Sequence, residues 1–147
     1  MYRILLLGHG NIAGEMLRSA ELIVGSQPAN LVKALPLLQG QAMSEYKLEI
    51  EKYVDESVKS GTCLIFVDLA GGSPFITAAE VYRKYAGKNM VDVVTGMNLT
   101  MLIETFAALD SAPMEQARET AIREGHAGIQ ALSQALSAIT SSNDANI

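Results

Sequence analysis

The chain has 147 residues, a formal net charge of −5, 49% apolar residues, two histidines, one cysteine and no tryptophan. That length suits one domain with its own core, a lone cysteine excludes an internal disulfide framework, and only 18% charged residues argue against disorder. An acidic balance without a basic cluster also argues against a nucleic-acid ligand, whose binding rests on Lys and Arg neutralising phosphates.

The first apolar run, Ile4-Leu5-Leu6-Leu7, is too short for a signal-peptide core, and nothing approaches the ~20 apolar residues of a membrane span. A soluble, cytoplasmic protein is expected, in a reducing compartment where Cys63 is a small core residue. Short apolar runs then alternate with segments of helical period, the pattern of βα units and a parallel sheet. Strands are expected at Arg3 to Leu7, Asn30 to Leu35, Thr62 to Leu69 and Met90 to Thr95. Between the first two, Ala13, Met16, Leu17, Ala20 and Ile23 mark a helix capped by Asn11 and stopped at Gly25. Between the next two, Tyr46, Ile50, Tyr53, Val54 and Val58 form one stripe, and the charged residues opposite read as a solvated face.

Ser73 as N-cap and Pro74 in the first turn open a third helix to about Ala86. Asn98 opens a fourth, and one long helical segment follows from Pro113 to about Ile139, weakened at Gly125 and Gly128. The expected fold class is α/β, a single doubly wound domain with a mainly parallel sheet of at least four strands and helices on both faces. The domain is taken as residues 1–140, with 141–147 as a polar C-terminal tail.

In such a sheet, ligands bind beyond the carboxyl ends of the strands. The loops there are Gly8-His9-Gly10-Asn11, Asp68-Leu69-Ala70-Gly71-Gly72-Ser73 and Gly96-Met97-Asn98. Histidine near neutral pH is both a nucleophile and a leaving group, and two flanking glycines let a partner or an anion approach His9 closely. Asp68 ends an apolar run, where a carboxylate must be hydrogen-bonded; one ring N–H of His9 is a natural partner, which would aim the other nitrogen outward. The helix starts after Gly10 and Asn11, and after Gly72 and Ser73, offer free amides and partial positive charge to a phosphate. His126 reads as a surface or packing residue away from these loops, and no metal site or cofactor is expected.

Competing motifs are weaker. Gly8-His9-Gly10-Asn11-Ile12-Ala13 fits a dinucleotide fingerprint but lacks the acidic residue after strand two, where Leu35-Pro36-Leu37-Leu38 stands. No phosphate-binding P-loop accompanies Leu64 to Asp68, and no nucleophile elbow surrounds Ser73. A non-covalent nucleotide-binding or regulatory module using the same crevice is the alternative reading.

Ile4-Leu5-Leu6-Leu7-Gly8-His9-Gly10, Val67-Asp68-Leu69-Ala70-Gly71-Gly72-Ser73-Pro74-Phe75 and Gly96-Met97-Asn98-Leu99-Thr100-Met101-Leu102-Ile103-Glu104 together resemble the mannose-family IIA component of the bacterial phosphoenolpyruvate-dependent sugar phosphotransferase system (PTS). The resemblance spans about residues 3 to 132. It implies a phosphotransferase acting as a phosphocarrier: phospho-HPr donates to His9, which passes the phosphoryl group to a IIB protein or domain. It also implies a cytoplasmic homodimer that meets the membrane only indirectly, through the IIC/IID permease. By the resemblance, the phosphate sits on the ring nitrogen remote from the backbone and Asp68 orients the ring.

Three positions depart from the family pattern. Gly8 stands where a hydroxyl residue usually precedes the histidine, Ile76 where asparagine often follows, and Thr100 where proline is common.

Overall fold

The structure, a computed structural model, describes residues 1–144. Four strands, β1 (Tyr2–His9), β2 (Val32–Leu37), β3 (Thr62–Val67) and β4 (Val91–Val94), form one sheet in the order β2-β1-β3-β4. All three pairings are parallel. The central strands carry the unbroken apolar runs because both their faces are covered: Ile4 to Leu7 of β1 and Cys63 to Val67 of β3 are fully buried. Each such Leu, Ile, Val or Phe contributes about 1.5–3 kcal/mol relative to an exposed side chain.

Alternation along β1 and β3 divides the core in two. Ile4, Leu6, Leu64 and Phe66 pack with α1 (Ile12–Val24), α4 (Leu99–Ala107) and α5 (Met114–Ala127). Leu5, Leu7, Ile65 and Val67 face α2 (Met43–Val58) and α3 (Ser73–Arg83). The charged face of α2 is partly engaged, since Lys47 pairs with Glu80 at 2.8 Å and Glu51 with Lys84 at 3.1 Å, tying α2 to α3. Cys63 lies in this second core, where burial pushes its thiol up to about 12 and keeps it protonated.

Several boundaries differ from the sequence reading. β2 runs to Leu37 through Pro36, which an edge strand tolerates because the missing N–H faces outward. Pairing with this extension carries β1 on to His9, so His9 ends a strand rather than sitting within a loop. The expected long helix breaks after Ala127. Gly128 lies against the Thr100 side chain, where a Cβ would stand 2.4 Å from Oγ1, and the chain restarts as α6 (Leu132–Asp144), which has no buried residue. Thus α6 crosses the expected boundary at residue 140; of the expected polar tail, residues 145–147 lie outside the described residues.

Candidate functional site

The sheet order fixes where the chemistry sits. The chain leaves β1 toward one edge of the sheet and β3 toward the other, so the topological switch point lies between their carboxyl ends. Those ends carry His9 and Asp68. β1 pairs with β3 only as far as Leu7 opposite Val67, so His9 extends past the last rung and meets Asp68, the first residue beyond β3.

Asp68 Oδ2 accepts the His9 backbone N–H at 2.9 Å and lies 2.8 Å from His9 Nδ1. A carboxylate only accepts, so the shared proton belongs to Nδ1 and the lone pair to Nε2. Partial burial alone would raise the Asp68 carboxyl. The two His9 hydrogen bonds and the charge of His9, with a smaller contribution from the Leu69 amide, outweigh it and hold the group below its ordinary value of 3.8. The imidazole, whose far nitrogen is Nε2, is half exposed.

The start of α3 faces that nitrogen. A Cβ on Gly72 would stand 2.7 Å from His9 Cε1 and 3.3 Å from Nε2, so the ring occupies the space a side chain would need. Gly72, not Ser73, is the N-cap, and it makes no side-chain capping bond; Ser73 is the first helical residue, and its exposed hydroxyl is therefore not consumed as a cap. The Ile76 N–H is engaged by the Gly72 carbonyl at 2.9 Å and Pro74 has none, which leaves the amides of Ser73 and Phe75 at a helix start with no acidic residue in its first turn.

The other expected contacts divide. Asn11 occupies the N-cap position of α1 but makes no side-chain capping bond. Gly10 takes φ +56°, and its N–H donates to the Leu37 carbonyl at 2.8 Å, so that amide is already engaged. Asn98 does cap α4, accepting from Met101 N–H at 3.1 Å, and its amide donates to the Gly125 carbonyl at 3.3 Å; it holds α5 in place rather than facing His9. This contact brings the end of α5 to the same sheet edge as the loops, and His126 is exposed there, one residue beyond Gly125. Among the described residues, no group of three or more His, Cys, Asp or Glu side chains is placed to hold a metal ion.

The structure also accounts for two departures. A Cβ on Gly8 would stand 2.3 Å from Ile12 Cγ2 and 3.3 Å from Asp68 Cγ, so glycine is required beside this isoleucine. Sequence reasoning missed Ile12 because it falls outside the buried stripe of α1, at 45% exposure. Thr100 packs its side chain on Gly128, joining the start of α4 to the end of α5.

Fold and site together define a class: a doubly wound α/β protein with an aspartate-oriented histidine at its switch point. The chain belongs to the EIIA-man family, whose model, described as PTS system fructose IIA component, matches residues 3–122. It is 32% identical over 128 residues to the PTS system mannose-specific EIIAB component of Escherichia coli (strain K12), an overlap of 84% of this chain and 37% of that protein. The chain thus spans little more than a third of that relative's length. Among solved structures, the phosphotransferase system component EIIA from Streptococcus agalactiae superposes with a TM-score of 0.81 at 26% identity, covering 91% of this chain and 99% of that one. The PTS IIA protein associated with the fucose utilization operon from Streptococcus pneumoniae gives 0.80 at 30% identity, covering 91% and 95%.

Proposed function

We propose that this protein is a phosphocarrier that takes a phosphoryl group on His9 Nε2 from phospho-HPr and passes it to a IIB component of a sugar phosphotransferase system. The observation that carries this reading is the 2.8 Å contact from Nδ1 to Asp68, which leaves Nε2 as the nitrogen with a lone pair. Nε2 attacks phosphorus as the donor's P–N bond breaks, and the Nδ1 proton stays between the ring and Asp68. The reverse polarity serves the second half: an acceptor nucleophile attacks phosphorus, the Nε2–P bond breaks, and its electron pair returns to the ring. Because the carboxylate holds the opposite ring nitrogen, the two anionic groups stay apart; at ~4 Å their repulsion would reach about 4 kcal/mol at an effective dielectric of 20.

The phosphoryl oxygens are assigned to the Ser73 and Phe75 amides, the Ser73 hydroxyl, the Asn11 side chain and the start of α1, with Gly72 and Gly10 giving close backbone approach. Catalysis is then mainly positioning and charge stabilisation. Exposed Ile12, Leu38, Leu69 and Ile76 belong to the carboxyl-edge loops and helix starts around His9, an apolar surround that suits protein partners better than a small polar ligand. Among the described residues no helix is long and apolar enough to cross a membrane, in keeping with a cytoplasmic carrier that meets the permease through its partners. A homodimer completes the reading.

Incubation with phosphoenolpyruvate, enzyme I and HPr tests it. The expected product carries one acid-labile, base-stable phosphate that is absent in His9→Ala; a label that persists in that variant overturns the assignment. Tight binding of nucleotides without labelling would instead favour a non-covalent module.

A further inference from the structure

Two buried polar atoms near the site have no hydrogen-bond partner among the described residues: Asp68 Oδ1 and the hydroxyl of Tyr46. Buried polar groups are almost always paired, and an unpaired one costs about 1–3 kcal/mol. Other buried tyrosines follow that rule. Tyr53, two turns further along α2, donates to the Ile4 carbonyl at 3.0 Å and lies 3.2 Å from that of Leu31, and the Tyr2 hydroxyl reaches the Thr105 carbonyl at 3.5 Å.

Tyr46 is placed to serve Asp68. It is the fourth residue of α2, which follows β2, so its turn lies at the carboxyl edge of the sheet. It is 1% exposed and belongs to the same core cluster as Leu7 and Val67, which immediately precede Gly8-His9 and Asp68. Helical side chains lean toward the helix N-terminus, which here directs the ring toward that edge. Burial raises the Tyr46 hydroxyl most, and the next cause is the charge of Asp68, ahead of Glu49 one turn along the same helix. Of the two carboxylates that act on this hydroxyl, Asp68 acts more strongly than Glu49.

We propose that Tyr46 is a positioning residue for the His9–Asp68 pair, its hydroxyl linked to Asp68 Oδ1 across one bridging water. The carboxylate is then held at both oxygens, Oδ2 by His9 from β1 and Oδ1 through that water by Tyr46 from α2, which fixes its plane and favours its charged form. Glu49, beyond Tyr46, is the other charged group acting on the hydroxyl. The kinetic consequence rests on the phosphocarrier reading; the link between Tyr46 and Asp68 does not.

The test is Tyr46→Phe in the full chain, which removes one oxygen and keeps the ring in the core. Carbon-13 NMR titration of the Asp68 carboxyl is expected to show its midpoint rising by about one unit, because a donor to the charged form is lost. The initial rate of His9 labelling at pH 7 should fall as well, because the carboxylate that orients the ring is then held at one oxygen only. An Asp68 midpoint that stays within about 0.1 unit of the parent overturns the proposal. A second measurement needs no variant: in the parent protein the Tyr46 ring Cζ shift should follow the Asp68 titration, and a flat response overturns the proposal equally. If the parent protein takes no label at all, the phosphocarrier reading falls, while both titrations still decide the role of Tyr46.

Discussion

Asp68 Oδ2 takes two hydrogen bonds from one residue, the backbone N–H of His9 at 2.9 Å and its ring Nδ1 at 2.8 Å. A single oxygen therefore fixes both where the chain of His9 lies and which way its ring turns. Only one tautomer satisfies the pair, so orientation and nucleophilicity at Nε2 come from the same contact.

This contact links the site to stability. The Asp68 carboxyl is held below 3.8, so its contribution to folding is complete well above that pH and is lost as pH falls through the depressed value. Asp68→Asn should cost roughly 1–2 kcal/mol at pH 7, and urea unfolding from pH 7 to pH 2.5 should show the gap closing only at the acid end. Labelling of His9 at pH 7 should fall by roughly 100-fold or more, since an amide no longer selects the Nδ1–H tautomer. Equal stability across the whole range would remove the ionised Asp68 carboxylate from this contact in the native state.

Gly72 is the steric partner of the ring. In Gly72→Ala the new Cβ meets His9 Cε1 at 2.7 Å, and the exposed imidazole rather than the helix must give way. The urea midpoint should stay within the equivalent of about 1 kcal/mol, while the initial labelling rate falls by about 10- to 100-fold through misplacement of Nε2. A normal labelling rate would show that the ring does not work from this position.

Gly8 and Ile12 should be energetically coupled. Gly8→Ala forces a Cβ to 2.3 Å from Ile12 Cγ2, an overpacking expected to cost about 1–3 kcal/mol. Adding Ile12→Ala should return most of that cost, because half-exposed Ile12 has little burial of its own to lose. A double-mutant cycle by urea unfolding measures the coupling, and an additive pair would refute the contact.

Much of this architecture was legible in the chain itself. Unbroken apolar runs such as Leu64 to Val67 identify strands covered on both faces, and the interleaved helical periods imply parallel pairing through crossovers. His9 and Asp68 stood out because each places a polar group at the end of such a run. Local signals misled where two caps competed: Ser73 has the chemistry of an N-cap, but the backbone turns into α3 at Gly72 and leaves the serine hydroxyl outside. Periodicity likewise joined α5 and α6 across Gly128, the C-cap of α5, whose close packing against Thr100, 28 residues upstream, is a contact between distant segments.

By itself, then, the sequence determined the alternation of strands and helices, the parallel class and the two residues to watch, since these depend on local patterning and on the cost of burying polar groups. Only the tertiary structure decided that one oxygen of Asp68 serves both the backbone and ring of His9, that Gly72 makes room for Nε2, and that the Gly10 amide is already engaged. Each of these is a contact between segments brought together by strand order and register, which the spacing of residues along the chain does not encode.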